Sequence, residues 1–349
     1  MRSLVLGVSL VLLVMGMATL GSVNAAEPYF VEYLVSGSPL NVAVQSPGRI
    51  WFTMPNQNWL GHLVVTSTVD YQVITYTIPT LSSEPYDLKF VSGKIWFTER
   101  LGNKIGRFDP STVVFDEFDI PTGDSQPTGI DVLSSNPIQI WFTERNGNKL
   151  GRLVITSTVD YAFTEYPLPA GYPNAQPEDI VIQTADSIWF TAPNVSRLGN
   201  FALSLWPDSS AFEMVSSGAS SRPWSVKVDA SGYPWITERA GNRIGVFFPQ
   251  TISFFNWYPL PIPNSDPYGL EITQGYIWFT ERDGNRLGQL DRLSRGIREF
   301  GLQASSAPAG IAADANGCLW VALSGRDRIA SWCPPYFYSI HLPLIMKGQ

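Results

Sequence analysis

The chain has 349 residues, 44% of them hydrophobic, 13% aromatic and only 15% charged, with a formal net charge of −7. An acidic chain without a lysine-arginine cluster is a poor match for nucleic acid or an anionic membrane surface. With His62 and His341 as its only histidines it assembles no His-rich metal site and no Ser-His-Asp set, and it carries no P-loop or dinucleotide fingerprint.

The N-terminus reads as a targeting segment. Met1-Arg2 gives a positive start, Leu4 to Leu20 an uncharged apolar run, and Ser22-Val23-Asn24-Ala25-Ala26 a stretch of small residues. That order predicts a secretory signal peptide over 1–25, cut near Ala25 or Ala26. The competing reading is an uncleaved anchor, but the run lies at the short edge of what spans a bilayer and small residues sit where a peptidase cuts. No other stretch is long and apolar enough to cross a membrane. The expected product is exported, secreted or on the cell-envelope exterior, monomeric, and without a membrane span once the leader is cut.

From residue 28 to residue 333 the chain repeats. Trp51, Trp96, Trp141, Trp189, Trp235, Trp278 and Trp320 are separated by 45, 45, 48, 46, 43 and 42 residues. Each stands in a version of one phrase, best kept as IWFTERLGNKIGRF at 95–108 and IWFTERDGNRLGQL at 277–290. A period in the forties with strand-like content marks a closed, radially repeated β-structure.

Each repeat reads as four strands. Most open on a proline and an alternating apolar stretch, as in Pro85-Tyr86-Asp87-Leu88-Lys89-Phe90-Val91. The tryptophan strand follows, then a hairpin, then a third strand such as Lys104 to Phe108, then a fourth such as Phe115 to Pro121. Gly102-Asn103, Gly147-Asn148, Gly241-Asn242 and Gly284-Asn285 are expected to supply the positive φ values of the hairpins.

The two ends settle the architecture. The seventh repeat has three strands and then runs into Cys333-Pro334-Pro335. Its missing strand is Phe30-Val31-Glu32-Tyr33-Leu34, which resembles Phe115-Asp116-Glu117-Phe118-Asp119 and Phe163-Thr164-Glu165-Tyr166-Pro167. The expectation is an all-β, seven-bladed β-propeller of four-stranded blades, closed by the N-terminal strand completing the last blade.

The only cysteines, Cys318 and Cys333, flank two strand-like segments joined at Gly325-Arg326. A hairpin turning there pairs positions whose numbers sum to 651, which sets the two cysteines opposite each other and predicts a disulfide. The tail from 334 to 349 carries no assigned mechanism.

Function on a propeller usually occupies the channel mouth, where the loops entering the innermost strands and the hairpins after the tryptophan strands meet. The residues after each opening proline are Leu40, Tyr86, Thr128, Glu178, Trp224, Tyr268 and Ala309. Four residues after each tryptophan come Pro55, Arg100, Arg145, Pro193, Arg239, Arg282 and Ser324. The candidate ligand-binding set is Tyr86, Arg100, Thr128, Arg145, Glu178, Trp224, Arg239, Tyr268 and Arg282: an aromatic lining rimmed by four arginines. It suits a small molecule, glycan or peptide with flat faces and some negative charge. Glu99, Glu144, Glu238 and Glu281 directly precede the arginines and recur four times, which argues for blade building rather than catalysis. They are expected to neutralise those arginines or to accept the Gly-Asn backbone amides.

The phrase WFTE-x-x-GN-[KR]-[IL]-G, at Trp96 to Gly106, Trp141 to Gly151, Trp235 to Gly245 and Trp278 to Gly288, resembles the streptogramin B lyase (virginiamycin B lyase) family. Pro127-Thr128-Gly129-Ile130 and Pro308-Ala309-Gly310-Ile311 extend the resemblance, which runs from about 30 to 332. It implies the propeller, and it implies magnesium-dependent elimination across a cyclic depsipeptide ester by histidines and glutamates at the mouth of the last two blades. The positions that match those residues hold Tyr268, Ala309, Ala307 and Ser324. Without an imidazole base or metal-holding carboxylates there, the expectation is a non-catalytic binding module with no metal and no cofactor. The alternative is a divergent C–O lyase or a carboxylate-based hydrolase working through Glu178.

Overall fold

The computed structural model describes residues 30–156, 160–249 and 254–333. The signal peptide expected over 1–25, the tail over 334–349 and His341 lie outside them. Seven four-stranded antiparallel sheets form the ring, and the chain is a seven-bladed β-propeller. The innermost strands are Val42–Ser46, Pro85–Val91, Pro127–Leu133, Ile180–Ile182, Pro223–Val228, Pro267–Thr273 and Pro308–Ala313. We number the blades 1 to 7 in that order.

Blade 7 is latched as its sequence requires. Its fourth strand is Val31–Leu34, antiparallel to Arg328–Trp332 with Val31 opposite Ser331 and Leu34 opposite Arg328. Both ends of the chain's regular structure thereby close one sheet, and no open edge is left between the first and last blades. In the neighbouring hairpin Leu319 faces Trp332, so paired numbers sum to 651, and Cys318 is bonded to Cys333 with Cα atoms 4.1 Å apart.

The tryptophan period has a packing cause. Trp51 of blade 1 is buried against Leu88, Ile95, Phe97 and Phe108 of blade 2, and Trp96 against Ile130, Ile140, Phe142 and Leu153 of blade 3. Trp320 closes the circle against Val42, Ile50, Phe52 and Leu63 of blade 1. One large ring per interface fills the gap between two twisted sheets, and truncating such a ring typically costs about 3–5 kcal/mol.

The last glycine of the repeated phrase has an equally local cause. A Cβ on Gly106 would sit 2.1 Å from Cζ of Phe97, and the same ring-on-glycine contact recurs at Gly61, Gly151, Gly199 and Gly288. In blade 5, where Ile236 replaces the phenylalanine, Trp257 of the outer strand covers Gly245 instead.

The hairpins correct one expectation. The left-handed residue is the asparagine, with φ of 56° at Asn103, 55° at Asn148, 49° at Asn242 and 52° at Asn285, while the preceding glycines stay outside that region. The asparagine is also a brace: Asn103 donates to the carbonyls of Ile120 and Thr122 and accepts from the backbone N–H of Ser125. In blades 1 and 4, where proline replaces the arginine, a single 3-10 turn forms at Pro55–Gln57 and at Pro193–Val195. His62 is a core side chain stacked on Trp51 at 4.1 Å, and burial, followed by the charge of Arg49, lowers its pKa to about 4. Among the described residues no helix is long and apolar enough to cross a membrane.

Candidate functional site

The threonine of the repeated phrase places the mouth residues. Its hydroxyl donates to the backbone carbonyl of the mouth residue in the next blade: Thr53 to Tyr86 (2.9 Å), Thr98 to Thr128 (2.8 Å), Thr143 to Glu178 (2.9 Å), Thr191 to Trp224 (2.7 Å), Thr237 to Tyr268 (2.9 Å) and Thr280 to Ala309 (2.7 Å). Six of the seven blades therefore position their neighbour's contribution to the channel; blade 7 carries Ala322 in place of the threonine. These buried bonds are invisible to a reading of one repeat at a time. Inner strands also approach very closely: a Cβ on Gly129 would lie 2.6 Å from the carbonyl oxygen of Glu178, whose chain accepts the Gly129 N–H at 2.8 Å.

Within that frame the arginines turn inward over the aromatic rings. Arg239 lies 4.3 Å from the Trp224 ring centre and 5.4 Å from that of Tyr268; Arg145 covers Trp224 at 5.6 Å. Arg100 lies over Tyr86 at 5.2 Å and Arg282 over Tyr268 at 5.1 Å. Trp224 and Tyr268 retain only 8% and 5% of their surface. The surface offered to a ligand is therefore made of guanidinium planes resting on aromatic rings, an arrangement that holds the arginines flat and adds cation–π attraction.

Three of the four arginines are already paired. Arg100 is held by Glu84 through Nε at 3.1 Å and through Nη2; Arg239 by Asp266 with Nη2 to Oδ2 at 2.7 Å; Arg145 by Glu178 at 2.5 Å. Glu84 and Asp266 immediately precede the opening prolines of their blades, and the sequence analysis did not single them out. The residue before each proline was the available signal. Arg282 has no acidic partner among the described residues.

Beneath the arginines the channel is plugged. The Tyr86 hydroxyl donates to Glu178 at 2.6 Å and lies 3.1 Å from the Tyr268 hydroxyl. Above this plug the mouth opens as a cavity of about 480 Å³ lined by Tyr86, Arg100, Arg145, Trp224, Arg239, Tyr268 and Arg282, with Glu84 and Ser324. Below it a small chamber of about 70 Å³ is lined by Asp87, Lys89, Asp179 and Lys227 as well as Glu178. Burial raises the Tyr86 phenol well above its ordinary range, with the charges of Glu178 and Tyr268 adding to it, and burial likewise raises Tyr268. Burial also raises Glu178, opposed by Arg145 and by the Tyr86 hydrogen bond. The phenols thus keep their protons near neutrality.

Two members of the candidate set stand apart from the cavity. Thr128 is fully buried, its hydroxyl 2.9 Å from that of Thr143 and donating to the Glu178 carbonyl at 2.9 Å, so it braces the wall. Glu178 lies in the plug under Arg145 rather than on the cavity surface. The four repeated glutamates do neither of the things expected of them. Glu99, Glu144, Glu238 and Glu281 are fully buried, while the arginines that follow them turn to other partners, because successive side chains of a strand point to opposite faces. The hairpin N–H groups go to serine carbonyls of the preceding loop, as with Gly102 to Ser83 at 3.1 Å and Gly147 to Ser125 at 3.2 Å. Burial, then repulsion from Glu117, raises Glu99 to about 8; burial and Glu165 raise Glu144 to about 8; burial raises Glu281 to about 7.

The magnesium implied by the family resemblance does not suit the residues at these positions. Ala307 and Ala309 carry no donor, the Ser324 hydroxyl is committed to the Ala307 carbonyl at 2.7 Å, and Tyr268 is a protonated phenol beside a guanidinium. A hard divalent cation needs several oxygen donors, preferably carboxylate, and these four positions supply none that is free to bind it.

The chain is thus a seven-bladed propeller whose mouth is an arginine-faced cavity above a hydrogen-bonded plug. The chain belongs to the virginiamycin B lyase family, whose model matches residues 18–275, more than half of its length. Among curated proteins it is similar to virginiamycin B lyase of Nocardia farcinica (strain IFM 10152), with 29% identity over 107 residues. That match spans 31% of this chain and 37% of the relative. Among solved structures it is similar to selenomethionine-substituted virginiamycin B lyase from Staphylococcus aureus, at 28% identity and a TM-score of 0.77, covering 88% of this chain and all of that one. A catalytically inactive histidine-to-alanine variant of the Staphylococcus aureus enzyme, solved with quinupristin, matches at 27% identity and a TM-score of 0.77, with 88% and 100% covered.

Proposed function

We propose that this chain is an exported propeller that captures a small molecule, glycan or peptide carrying an anionic group at its channel mouth, and does so without catalysis. The observation that carries the reading is the state of the four arginines: three are matched by Glu84, Glu178 and Asp266, and Arg282 is left over, facing the cavity. A guanidinium held flat on a phenol ring, with its edge open, accepts a carboxylate or phosphate in bidentate geometry. Tyr268 standing where the family has a histidine supports the absence of elimination chemistry, since a phenol whose proton is held tighter than usual is a poor base at neutral pH. Export is supported by the leader-like first 25 residues and by the Cys318–Cys333 bond, which suits an oxidising compartment.

The test has two arms. Quinupristin and magnesium are incubated with the protein and ring opening is followed by mass spectrometry; no turnover is expected. Turnover that disappears in Glu178→Gln would establish the lyase or hydrolase alternative in place of this reading. In the second arm, an array of acidic and neutral oligosaccharides and peptides is screened with wild type and Arg282→Gln. The expected result is a preference for acidic members that weakens about tenfold in the variant, the effect of one lost charge-assisted hydrogen-bonded pair. An array profile identical for the two proteins would defeat the binding reading.

A further inference from the structure

Blade 4 breaks the charge pattern of the wall. The third strand begins with a cation in six blades, and in five of them an acid faces it. Lys104 meets Glu117 at 3.4 Å and Asp119 at 3.2 Å, and Lys149 meets Glu165 at 2.7 Å. Arg243 pairs with Glu238 and Arg328 meets Glu32 at 3.4 Å, while Arg286 stands across its hairpin from Glu281. In blade 4 the cation is Arg197. The registers that set Glu99, Glu117 and Asp119 around Lys104 set Ala192, Met214 and Ser216 around Arg197. Every acid has been replaced while the cation has been kept.

Arg197 is accordingly underused. Its guanidinium lies 5.7 Å from the Tyr172 ring centre, its Nη1 reaches the Ser196 carbonyl only at 3.5 Å, and its Nε is buried without a partner among the described residues. Beside it is Arg222, exposed and without an ion pair among the described residues. It stands just before Pro223, where blades 2 and 6 carry Glu84 and Asp266. Both arginines line an open groove of about 780 Å³ between residues 193–197 and residues 216–222, shared with Asn194, Ser216 and Ser220 and containing no carboxylate. Two guanidinium groups without an acidic partner among the described residues thus share one groove with serine hydroxyls.

We propose that this groove is a second binding site, separate from the mouth, for a tetrahedral oxyanion: the phosphate or sulfate group of an ester or of the free ion. Guanidinium forks and serine hydroxyls match the oxygens of such a group, and its arrival supplies the counter-charge that Ala192, Met214 and Ser216 no longer provide. A carboxylate would use the fork but leave the surrounding hydroxyls without an acceptor.

The full chain is titrated at low ionic strength with inorganic phosphate, inorganic sulfate and acetate, followed by calorimetry and by amide chemical shifts. A phosphosugar and a sulfated disaccharide form separate arms that identify the source of the group. At the groove, read from the amide shifts of residues 194–197 and 216–222, phosphate and sulfate are expected to compete and acetate to bind clearly more weakly. Arg222→Gln, an exposed change that the fold tolerates, is expected to lower oxyanion affinity at least about tenfold, as is Arg197→Gln if its circular dichroism is native. Arg282→Gln at the mouth is expected to leave that affinity unchanged. Unaltered binding in Arg222→Gln, loss of binding in Arg282→Gln, or acetate binding as tightly as phosphate would each overturn the proposal. Loss of binding in Arg282→Gln would move the oxyanion to the mouth; the other two outcomes leave the mouth reading untouched.

Discussion

Glu99 and Arg100 are neighbours in the chain and belong to two different layers of the molecule. The glutamate layer repeats at Glu144, Glu238 and Glu281 and is sealed under the hairpins, fully buried at all four positions, with Arg243 reaching only Glu238. The arginine layer faces the channel, and no two of its members are paired in the same way: Arg100 with Glu84, Arg145 with Glu178, Arg239 with Asp266, Arg282 with none. The difference teaches that repetition within this ring marks construction, and departure from repetition marks the places where a ligand could be told apart from solvent.

The largest expected effect breaks the glutamate layer by titration. The folded carboxyls of Glu99, Glu144 and Glu281 hold their protons to about pH 7–8, whereas in the unfolded chain they release them near pH 4.5. Their neutral burial is therefore fully favourable below about pH 4.5, and stability falls as pH rises through that window, by several kcal/mol over the three at the level of order of magnitude. Lys104 and Lys149 oppose the rise, and Glu117, Asp119 and Glu165 promote it. Denaturant midpoints measured from pH 5 to pH 8 should decline steadily, and Glu99→Gln should flatten the decline and raise the midpoint at pH 8. A midpoint that climbs with pH across this range would contradict the layer's proposed state.

A smaller effect tests the wall that carries both layers. Gly106→Ala drives a methyl into the Phe97 ring and should cost about 1–3 kcal/mol, lowering Tm by several degrees. Gly123→Ala, with open space around it, should change stability by no more than about 0.5 kcal/mol. Equal Tm values for the two variants would mean that the glycine is not there to admit the ring. The smallest effect belongs to the arginine layer: Arg282→Gln, which breaks no ion pair, should shift stability by less than about 0.5 kcal/mol while weakening capture of acidic ligands. A large Tm loss there would move Arg282 from the ligand side of the comparison to the structural side.

Much of this was legible from residues alone. The tryptophan period and the orphan three-strand repeat at Cys333 required a ring of seven latched by Val31–Leu34, and the register of the hairpin turning at Gly325-Arg326 placed Cys318 opposite Cys333. The candidate set found seven side chains that do converge on one cavity. What stayed hidden was direction. Whether Thr128 faces the channel or the wall, whether Arg239 lies on Trp224 or stands away from it, and that Glu84 and Asp266 would become partners depend on how side chains turn in space, within a blade for Arg100 and Glu84 and between blades 5 and 6 for Arg239 and Asp266. The WFTE threonine carries no distinguishing signal within one repeat, yet in six blades it fixes the mouth residue of the following blade.

Period, alternation and residue type are local properties of the chain, and from them follow the number of sheets, their closure and the core rings. Only the tertiary structure decided which charges meet, which stay unmatched at Arg282 and Arg197, and which carboxyls are buried deeply enough to keep their protons. Charge pairing and desolvation act through space over a few ångströms between residues as far apart in the chain as Arg100 and Glu84 or Arg145 and Glu178, and neither period nor alternation says which side chains will meet.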